Sequence, residues 1–188
     1  MGLAKLRHKI SIAEYIQGEE LSEIRHEYIY GEVYAMAGAS TTHNRIVTNV
    51  GYKIDERLRN SRCETFVENV KLKADEATFY YPDVMVACDE NPESIYYREE
   101  SILLVEVLSP STERIDRNEK LNVYRNIPTL QEYLIVWQNE VRAELYRKNT
   151  DNSWSAEIFD EISAEIKLDS VDLNLTLVEI YRRVKFEN

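Results

Sequence analysis

The spacing of apolar residues along the chain predicts alternating strands and helices. The segment "HEYIYGEVYAMAG" alternates between apolar and polar positions around Gly31, which predicts a β-hairpin near residues 26–37. In "STTHNRIVTNVGYKIDERLRN", apolar residues recur every four positions, which predicts a helix with one apolar stripe that is capped by Thr41 or Thr42. The residues of this stripe are Ile46, Val50, Ile54 and Leu58.

Further segments add strands and helices in a defined order. "CETFVENVKLKAD" predicts one strand whose inward residues are Phe66, Val70 and Leu72. "LLVEVL" and "LIVW" are apolar on successive residues, which is typical of central strands covered on both faces. "DRNEKLNVYRNI" between them predicts a helix that begins with a capping box of Asp116 and Glu119 and ends before Pro128.

The C-terminal part predicts two more strands and a last helix. "EVRAELYRK" alternates as an antiparallel partner of "EYLIVW", and "SWSAEIF" is a further short strand. "TLVEIYRRVKF" predicts a helix with its apolar residues on one face, namely Leu177, Ile180, Tyr181 and Val184.

The order of elements predicts an α/β fold of the α+β type, with a mixed central β-sheet flanked by helices. A chain of 188 residues can bury a substantial core, so we expect a single domain over residues 1–188. Its core spans about residues 43–138. An N-terminal helix and hairpin at 10–38 and C-terminal strands plus a helix at 140–186 are added to it.

Two carboxylates interrupt apolar runs. Asp83 follows Pro82 and precedes "VMVA", and Glu106 lies within "ILLVEVL". Charged side chains are rarely buried without a partner or a cation. Two carboxylates from adjacent strands can bind one Mg²⁺ ion, which keeps waters that can attack a phosphodiester. The alternative is that both acids form structural ion pairs with Arg114, Arg117 or Lys120.

The charge distribution places most of the acid excess around these two carboxylates. The net charge is −11, and residues 74–106 carry nine acids against one base, Arg98. Such an excess attracts a divalent cation and argues against a passive nucleic-acid binder. The remaining acids of this stretch are also explained as a solvated loop, namely Glu90, Glu93, Glu99 and Glu100.

A lysine near the two acids would assist hydrolysis. Lys120 shares a helical stripe with Val123, Tyr124 and Ile127, so its ammonium could face the sheet. It could then orient or deprotonate a water and stabilise the charge of the transition state. The alternative is a surface lysine paired with Asp116. Lys71 and Lys73, which share one face of an earlier strand, are the alternative candidates for this catalytic lysine.

The segments "YPDVMVAC", "LLVEVLSPSTERIDRNEKLNVYR" and "LQEYLIV" resemble the Uma-type restriction endonuclease family, which is abundant in cyanobacteria and belongs to the PD-(D/E)XK nuclease superfamily. The resemblance implies a restriction-endonuclease-like core of helix, three strands, helix and strand. It implies that Asp83 and Glu106 bind the metal and that Lys120 replaces the usual lysine. It further implies a Mg²⁺-dependent (or Mn²⁺-dependent) endonuclease that hydrolyses phosphodiester bonds in DNA as a homodimer.

The sequence departs from the superfamily pattern at two positions. Leu108 stands two residues after Glu106, where the superfamily has its lysine. Either Lys120 supplies that charge, or the protein is a catalytically impaired nuclease-fold protein that acts as an interaction module. Trp137 ends the "EYLIVW" strand where many relatives have Asp, which affects the end of the sheet.

Two further residues are candidate auxiliary groups. A glutamate ahead of the core assists metal binding in parts of the superfamily, and Glu32 is the candidate here; the alternative is a solvated acid beside a turn. His43 could contact a phosphate, or it is a residue beside a helix cap. The three histidines lack a zinc-ligand spacing, and we interpret Ser109 and Ser111 as capping and turn residues.

Cysteines and hydropathy indicate the compartment. No run of 18 apolar residues is present, so no membrane span is expected, and the first 20 residues lack the apolar stretch of a secretory signal. Cys88 lies in an apolar run, and we expect it to be a reduced core residue. A cytoplasmic location is therefore predicted.

Overall fold

The computed structural model describes residues 9–89, 92, 94–109, 113 and 115–186. Helix α1 (Ile12–Leu21) begins at a capping box between Ser11 and Glu14. Strands β1 (His26–Ile29) and β2 (Glu32–Ala35) then pair as an antiparallel hairpin, which confirms the predicted one. Gly31 has a φ of +92° in its turn, a conformation that glycine adopts without steric cost.

The long helix α2 (Thr41–Leu58) precedes a series of short strands. In chain order the next elements are β3 (Glu64–Val67), β4 (Lys71–Asp75), β5 (Thr78–Tyr80), β6 (Val84–Ala87), β7 (Tyr97–Arg98) and β8 (Ser101–Leu108). A π-helical turn (Ile115–Lys120) leads into helix α3 (Leu121–Tyr124). The C-terminal part contains β9 (Glu132–Trp137), β10 (Ala143–Lys148), β11 (Trp154–Phe159), β12 (Glu165–Leu168), a 3₁₀ turn (Asp169–Val171), β13 (Leu173–Thr176) and α4 (Leu177–Ile180).

A six-stranded mixed sheet with the order β11-β10-β9-β8-β6-β3 contains the central strands. Strands β8 and β9 pair in parallel, and the other neighbours are antiparallel. Helix α2 is followed by β3, β6 and β8 of this sheet, then by α3 and β9. This is the predicted succession of helix, three strands, helix and strand, and the α+β fold class is confirmed.

Helix α2 covers one face of the six-stranded sheet with its apolar stripe. Ile46, Val50 and Ile54 are fully buried and belong to one apolar cluster with Val84 and Val105. The stripe was predicted, but the cap was not. The side chain of Ser40, rather than that of Thr41 or Thr42, accepts the hydrogen bond from the backbone N–H of His43, so the helix begins one residue earlier than expected.

A second sheet, β2-β1-β5-β4-β7, contains the strands that the sequence assigned differently. "CETFVENVKLKAD" is not one strand, because β3 belongs to the six-stranded sheet and β4 to the second sheet. Glu68, with a φ of +57°, lies between them and lets the chain change sheets. Leu72 and Tyr80 of the second sheet pack with Leu104 of β8 on the sheet face opposite α2.

The predicted helix after residue 115 is also different in detail. Asp116 does not form a capping box, since it is buried within the π-helical turn and its carboxylate contacts Lys120. The C-terminal helix is only four residues long, although Leu177 and Ile180 are buried as predicted.

The cysteines form a disulfide bond between Cys63 and Cys88, so the expectation of a reduced Cys88 is wrong. The two cysteines lie opposite each other at one end of the β3–β6 pair, next to the pairing of Glu64 with Ala87. None of the helices in the described part of the chain has the length and apolar character that a bilayer span requires. The predictions about Glu90, Glu93, Ser111 and Arg114 lie outside the described residues.

Candidate functional site

Asp83 directly precedes strand β6, and Glu106 lies within the neighbouring strand β8. Strands β6 and β8 are antiparallel, and Val84 pairs with Val105. Continuing this register by one residue places Asp83 opposite Glu106. The carboxylate Oδ2 of Asp83 also accepts a 2.6 Å hydrogen bond from the backbone N–H of Val107, which ties Asp83 to the end of β8.

His43 lies beside Asp83 at the start of α2. Its Nε2 is 3.2 Å from Oδ2 of Asp83, and the cap at Ser40 fixes the first turn of the helix that carries it. Burial lowers the pKa of His43, but the hydrogen bond to Asp83 and the negative charges of Asp83 and Glu68 raise it above 6.5 overall. The Nδ1 atom of His43 is buried and has no hydrogen-bond partner among the described residues.

Glu68 completes a group of three side chains that could hold a metal ion. One ligand atom from each of His43, Glu68 and Asp83 lies within 4.8 Å of the others. The backbone also holds Glu68 in place, because its N–H donates to the carbonyl of Asp83 at 3.0 Å and its carbonyl accepts from Nη1 of Arg25 at 2.6 Å. Two carboxylates and one imidazole at this spacing fit a divalent cation.

A second, largely buried group surrounds Lys120. The Nζ atom lies 3.0 Å from Oε1 of Glu106, 3.1 Å from Oδ1 of Asp116 and 3.2 Å from Oε1 of Glu27. The hydroxyl of Tyr124 donates a 2.9 Å hydrogen bond to the same oxygen of Glu106. One ammonium therefore faces three carboxylates inside the protein.

The charges in this group shift each other's pKa. Burial alone would lower the pKa of Lys120, but Glu106, Tyr124, Asp116 and Glu27 raise it well above 10.5, so the side chain remains an ammonium. Burial raises the pKa of Glu106 above its ordinary value. The positive charge of Lys120 lowers this pKa, whereas the negative charges of Asp116, Asp83 and Glu27 raise it further. Lys120 is thus a source of positive charge rather than a base.

The other candidate residues have partners elsewhere. Glu32 lies on β2 and accepts a hydrogen bond from Tyr34. Nζ of Lys71 lies 5.5 Å from the ring centroid of Tyr81, and Lys73 forms an ion pair with Glu99. The structure brings His43, Asp83, Glu106 and Lys120 to one end of the β6–β8 pair, and it shows no contact of Glu32, Lys71 or Lys73 with Asp83 or Glu106.

The positions that depart from the superfamily pattern are buried. Leu108 is 2% exposed and packs against Leu121 and Tyr124, so the ammonium near Glu106 comes from the helix instead of the strand. Two guanidinium groups lie over the ring of Trp137, that of Arg117 at 5.3 Å and that of Arg142 at 5.0 Å from the ring centroid.

Sequence reasoning missed Glu27 and Glu68. Glu68 could have been found by its place in "VENV", where a polar pair breaks two apolar runs. Glu27 is an acid in an alternating hairpin strand, and nothing in its local pattern distinguishes it from a solvated residue.

Comparisons with known proteins define the class and then the family. A crystal structure from Anabaena variabilis ATCC 29413, described as a "putative nuclease belonging to DUF820", has the same fold with a TM-score of 0.70 and 19% identity, over 85% of this chain and 91% of that one. The fold is therefore nuclease-like. The family model Uma2, described as "Putative restriction endonuclease", matches residues 12–178, and the chain belongs to this family.

Two proteins of Synechocystis sp. (strain ATCC 27184 / PCC 6803 / Kazusa) are similar over most of their length. "Uncharacterized protein slr1290" is 36% identical over 180 residues, which is 95% of this chain and 94% of the relative. "Uncharacterized protein sll1609" is 37% identical over 150 residues, 77% of this chain and 84% of the relative.

Proposed function

We propose that this protein is a metal-dependent endonuclease that uses Mg²⁺ or Mn²⁺ to hydrolyse phosphodiester bonds in DNA. Asp83 and Glu106 are the proposed metal carboxylates, and Lys120 is the proposed catalytic cation. The main support is the 3.0 Å contact between the ammonium of Lys120 and Oε1 of Glu106, on the strand position opposite Asp83. Lys120, from a helical turn, thereby supplies the positive charge that the superfamily lysine would supply at the position of Leu108.

The residues of the site have distinct roles in this hydrolysis. A water oxygen bonds to phosphorus, the bond from phosphorus to the leaving oxygen breaks, one water proton is released, and the leaving oxygen gains a proton. Lys120 is held as an ammonium, so it orients the water or a phosphate oxygen by donating a hydrogen bond and stabilises developing negative charge. A divalent ion held by Asp83 and Glu106 would offset the negative charge on the phosphate oxygens and lower the pKa of a bound water.

The substrate, assembly and location belong to the same proposal. DNA is the expected substrate because of the family. Few basic side chains must hold this polyanion on an acidic protein, so low salt should favour cleavage. We propose a two-fold homodimer, the commonest closed assembly, which would present two sites to the two strands of a duplex. The proposed location is the cytoplasm, where DNA would be encountered, and there the disulfide between Cys63 and Cys88 would be an exception to the reduced thiols usual in that compartment.

Cleavage of supercoiled plasmid tests the proposed activity. Purified protein with Mg²⁺ or Mn²⁺ at low salt should nick the plasmid, and chelation should stop the reaction. Asp83→Asn and Glu106→Gln should abolish nicking, because each removes a carboxylate from the site. Lys120→Arg, which keeps the charge but changes its position, should lower the rate by about 10²-fold or more.

Glu157→Gln is the matched control, since Glu157 is an exposed acid on β11, and it should nick like the wild type. Circular dichroism confirms that each variant is folded before its rate is compared. If the folded wild type cuts neither DNA nor RNA with either metal, the proposal is wrong, and the interaction module remains as the explanation of the fold.

A further inference from the structure

We infer that Lys71 and Arg25, which both lie over the ring of Tyr81, bind a phosphate group of the substrate strand beside the one that is cleaved. The inference rests on the proposed function for the presence of a nucleic-acid strand at Asp83. It adds a binding subsite that holds the strand and takes no part in breaking the bond.

Lys71 is a buried cation without an acidic partner. The residue is 8% exposed at the start of β4, and among the described residues no carboxylate lies within ion-pair distance of its ammonium. The Nζ atom lies 5.5 Å from the centroid of the Tyr81 ring. Burying a charge without a partner costs free energy, so a lysine in this position indicates a ligand that the protein itself does not supply.

Glu19, the acid that most strongly opposes the effect of burial on the pKa of Lys71, already has other partners. Its Oε1 is 2.7 Å from Nδ1 of His26. Its Oε2 accepts hydrogen bonds from the hydroxyl of Tyr81 at 2.8 Å and from the backbone N–H of His26 at 3.2 Å. Glu19 would lose these contacts if it moved to pair with Lys71, so the ammonium remains available to an external anion.

Arg25 brings a second positive charge to the same ring. Its Cζ lies 6.0 Å from the centroid of the Tyr81 ring, and its Nη1 donates a 2.6 Å hydrogen bond to the carbonyl of Glu68, which fixes the guanidinium. The other donors of this guanidinium have no hydrogen-bond partner in the part of the chain that the structure describes. The planar set of donors in a guanidinium is well suited to phosphate oxygens.

The two cations lie directly beside the candidate site. Glu68, whose carbonyl contacts Arg25, donates its own N–H to the carbonyl of Asp83 at 3.0 Å. Tyr81 stands two residues before Asp83, a span of at most about 7 Å along the backbone. A DNA strand advances about 3.4 Å of helix axis per nucleotide, so a phosphate one or two nucleotides from the scissile one would lie at this distance.

Other cations near Lys71 on the second sheet are neutralised by the protein. Lys73 on the same strand forms an ion pair with Glu99, and Arg98 on the neighbouring β7 lies 3.8 Å from Asp89. A polyanion that binds to a chain with a net charge of −11 depends on cations that are not already paired. Lys71 meets this condition.

Fluorescence anisotropy with a short labelled DNA duplex, in the presence of a chelator, tests the subsite without cleavage. Lys71→Met should weaken binding by about 10-fold at low salt and reduce the slope of log affinity against log salt by about one, because it removes one phosphate contact. Arg25→Gln removes the other charge, keeps a donor towards Glu68 and should act in the same direction. Lys71→Met is expected to fold, since it removes a buried charge that has no partner.

Lys167→Met is the matched control, because it removes a lysine charge at the opposite end of the six-stranded sheet. Arg147 contacts both the carbonyl of Lys167 and the carboxylate of Glu132, which is the first residue of β9. Strand β9 runs parallel to β8, and the candidate site lies near the last residues of β8. Lys167→Met should bind the duplex within about threefold of the wild type. An equal loss in this control would attribute the effect to overall charge and overturn the inference.

Cleavage kinetics with Mg²⁺ or Mn²⁺ distinguish a binding residue from a catalytic one. Lys71→Met should raise KM by about 10-fold and leave kcat within about threefold, as expected for a contact made equally in the ground state and the transition state. A lower kcat with an unchanged KM would make Lys71 part of the chemistry and would contradict the subsite.

The outcomes separate this inference from the proposed function. If Lys71→Met binds and cuts DNA as the wild type does, the inference fails and the nuclease proposal stands. If Lys71→Met loses affinity as expected but the wild type cuts no nucleic acid with either metal, the inference stands and the nuclease proposal fails. A wild type that binds neither DNA nor RNA contradicts both.

Discussion

At the scale of single residues, two buried lysines have opposite surroundings. Lys120 is 6% exposed and lies within 3.2 Å of a carboxylate oxygen of Glu27, Glu106 and Asp116. Lys71 is 8% exposed, and among the described residues no carboxylate lies within ion-pair distance of it. Burial consequently lowers the pKa of Lys71 below 10.5, against weaker effects of nearby acids.

Replacing each lysine by Met should therefore change stability in opposite directions. Lys120→Met leaves two buried carboxylates and the partly buried Glu27 without a cation, and it should lower the free energy of unfolding by about 3–5 kcal/mol. Lys71→Met removes an unpaired buried charge and should be neutral or stabilising by up to about 1 kcal/mol. Urea denaturation at neutral pH, with chelator present, measures both values.

The effect of Lys71 on stability should also depend on pH. Its folded pKa is lowered, so the unfolded chain binds more protons, and wild-type stability rises as the pH passes the folded value towards the ordinary 10.5. The advantage of Lys71→Met should accordingly narrow as the pH rises from neutral towards 10.5. An advantage that grows over this range would contradict the assignment of Lys71 as a destabilising buried cation.

At the scale of elements, the β3–β6 pair has a disulfide bond at one end and the candidate site at the other. The disulfide between Cys63 and Cys88 lies at one end of the pair. At the other end, Glu68 directly follows β3 and Asp83 directly precedes β6. Strand β3 is the edge of the six-stranded sheet, so it is paired on one side only. The bond therefore restrains the strand that leads to Glu68.

Removing this bond should destabilise the fold. The bond joins residues 25 positions apart, and a loop of this length corresponds to about 3 kcal/mol in the chain-entropy description of disulfides. The double variant Cys63→Ser, Cys88→Ser should therefore unfold at a lower urea concentration than the oxidised wild type.

Reductant is the control for this effect. It should shift the unfolding midpoint of the wild type towards that of the double variant and leave the double variant unchanged. Free thiols in the unreduced wild type, measured by thiol titration, would contradict the bond.

At the scale of the whole molecule, the six-stranded sheet is covered on both faces, but among the described residues no strand pairs with the β2 edge of the second sheet. Helix α2 and the C-terminal elements pack on one face of the six-stranded sheet, and α3 with the second sheet packs on the other. Strand β2 is the edge of the second sheet, and Val33 and Tyr34 on it are 39% and 46% exposed. Exposed apolar edge strands favour association with another chain.

The proposed homodimer gives a direct mass prediction. Light scattering at micromolar concentration should give about twice the chain mass of 22.1 kDa. Val33→Lys should shift the protein towards the monomer if β2 forms the interface, because a lysine on an edge opposes strand pairing. A wild-type mass of 22.1 kDa would show that the assembly prediction is wrong.

The sequence by itself determined the features that depend on near neighbours in the chain. The alternation around Gly31 predicts the hairpin, the four-residue spacing from Ile46 predicts the buried face of α2, and the continuous apolar runs predict β8 and β9 as central strands. The family and the α+β fold class followed from motifs and from the order of elements. Each of these signals lies within one segment of the chain.

Only the tertiary structure decided which distant residues meet. The change of sheet at Glu68, the bond from Cys63 to Cys88 and the approach of Glu27 to Lys120 depend on strand register and on the paths of loops. Local periodicity states which face of an element is buried, but it carries no information about what lies opposite that face. The three-carboxylate environment of Lys120 and the grouping of His43 with Glu68 and Asp83 therefore became visible only in the folded chain.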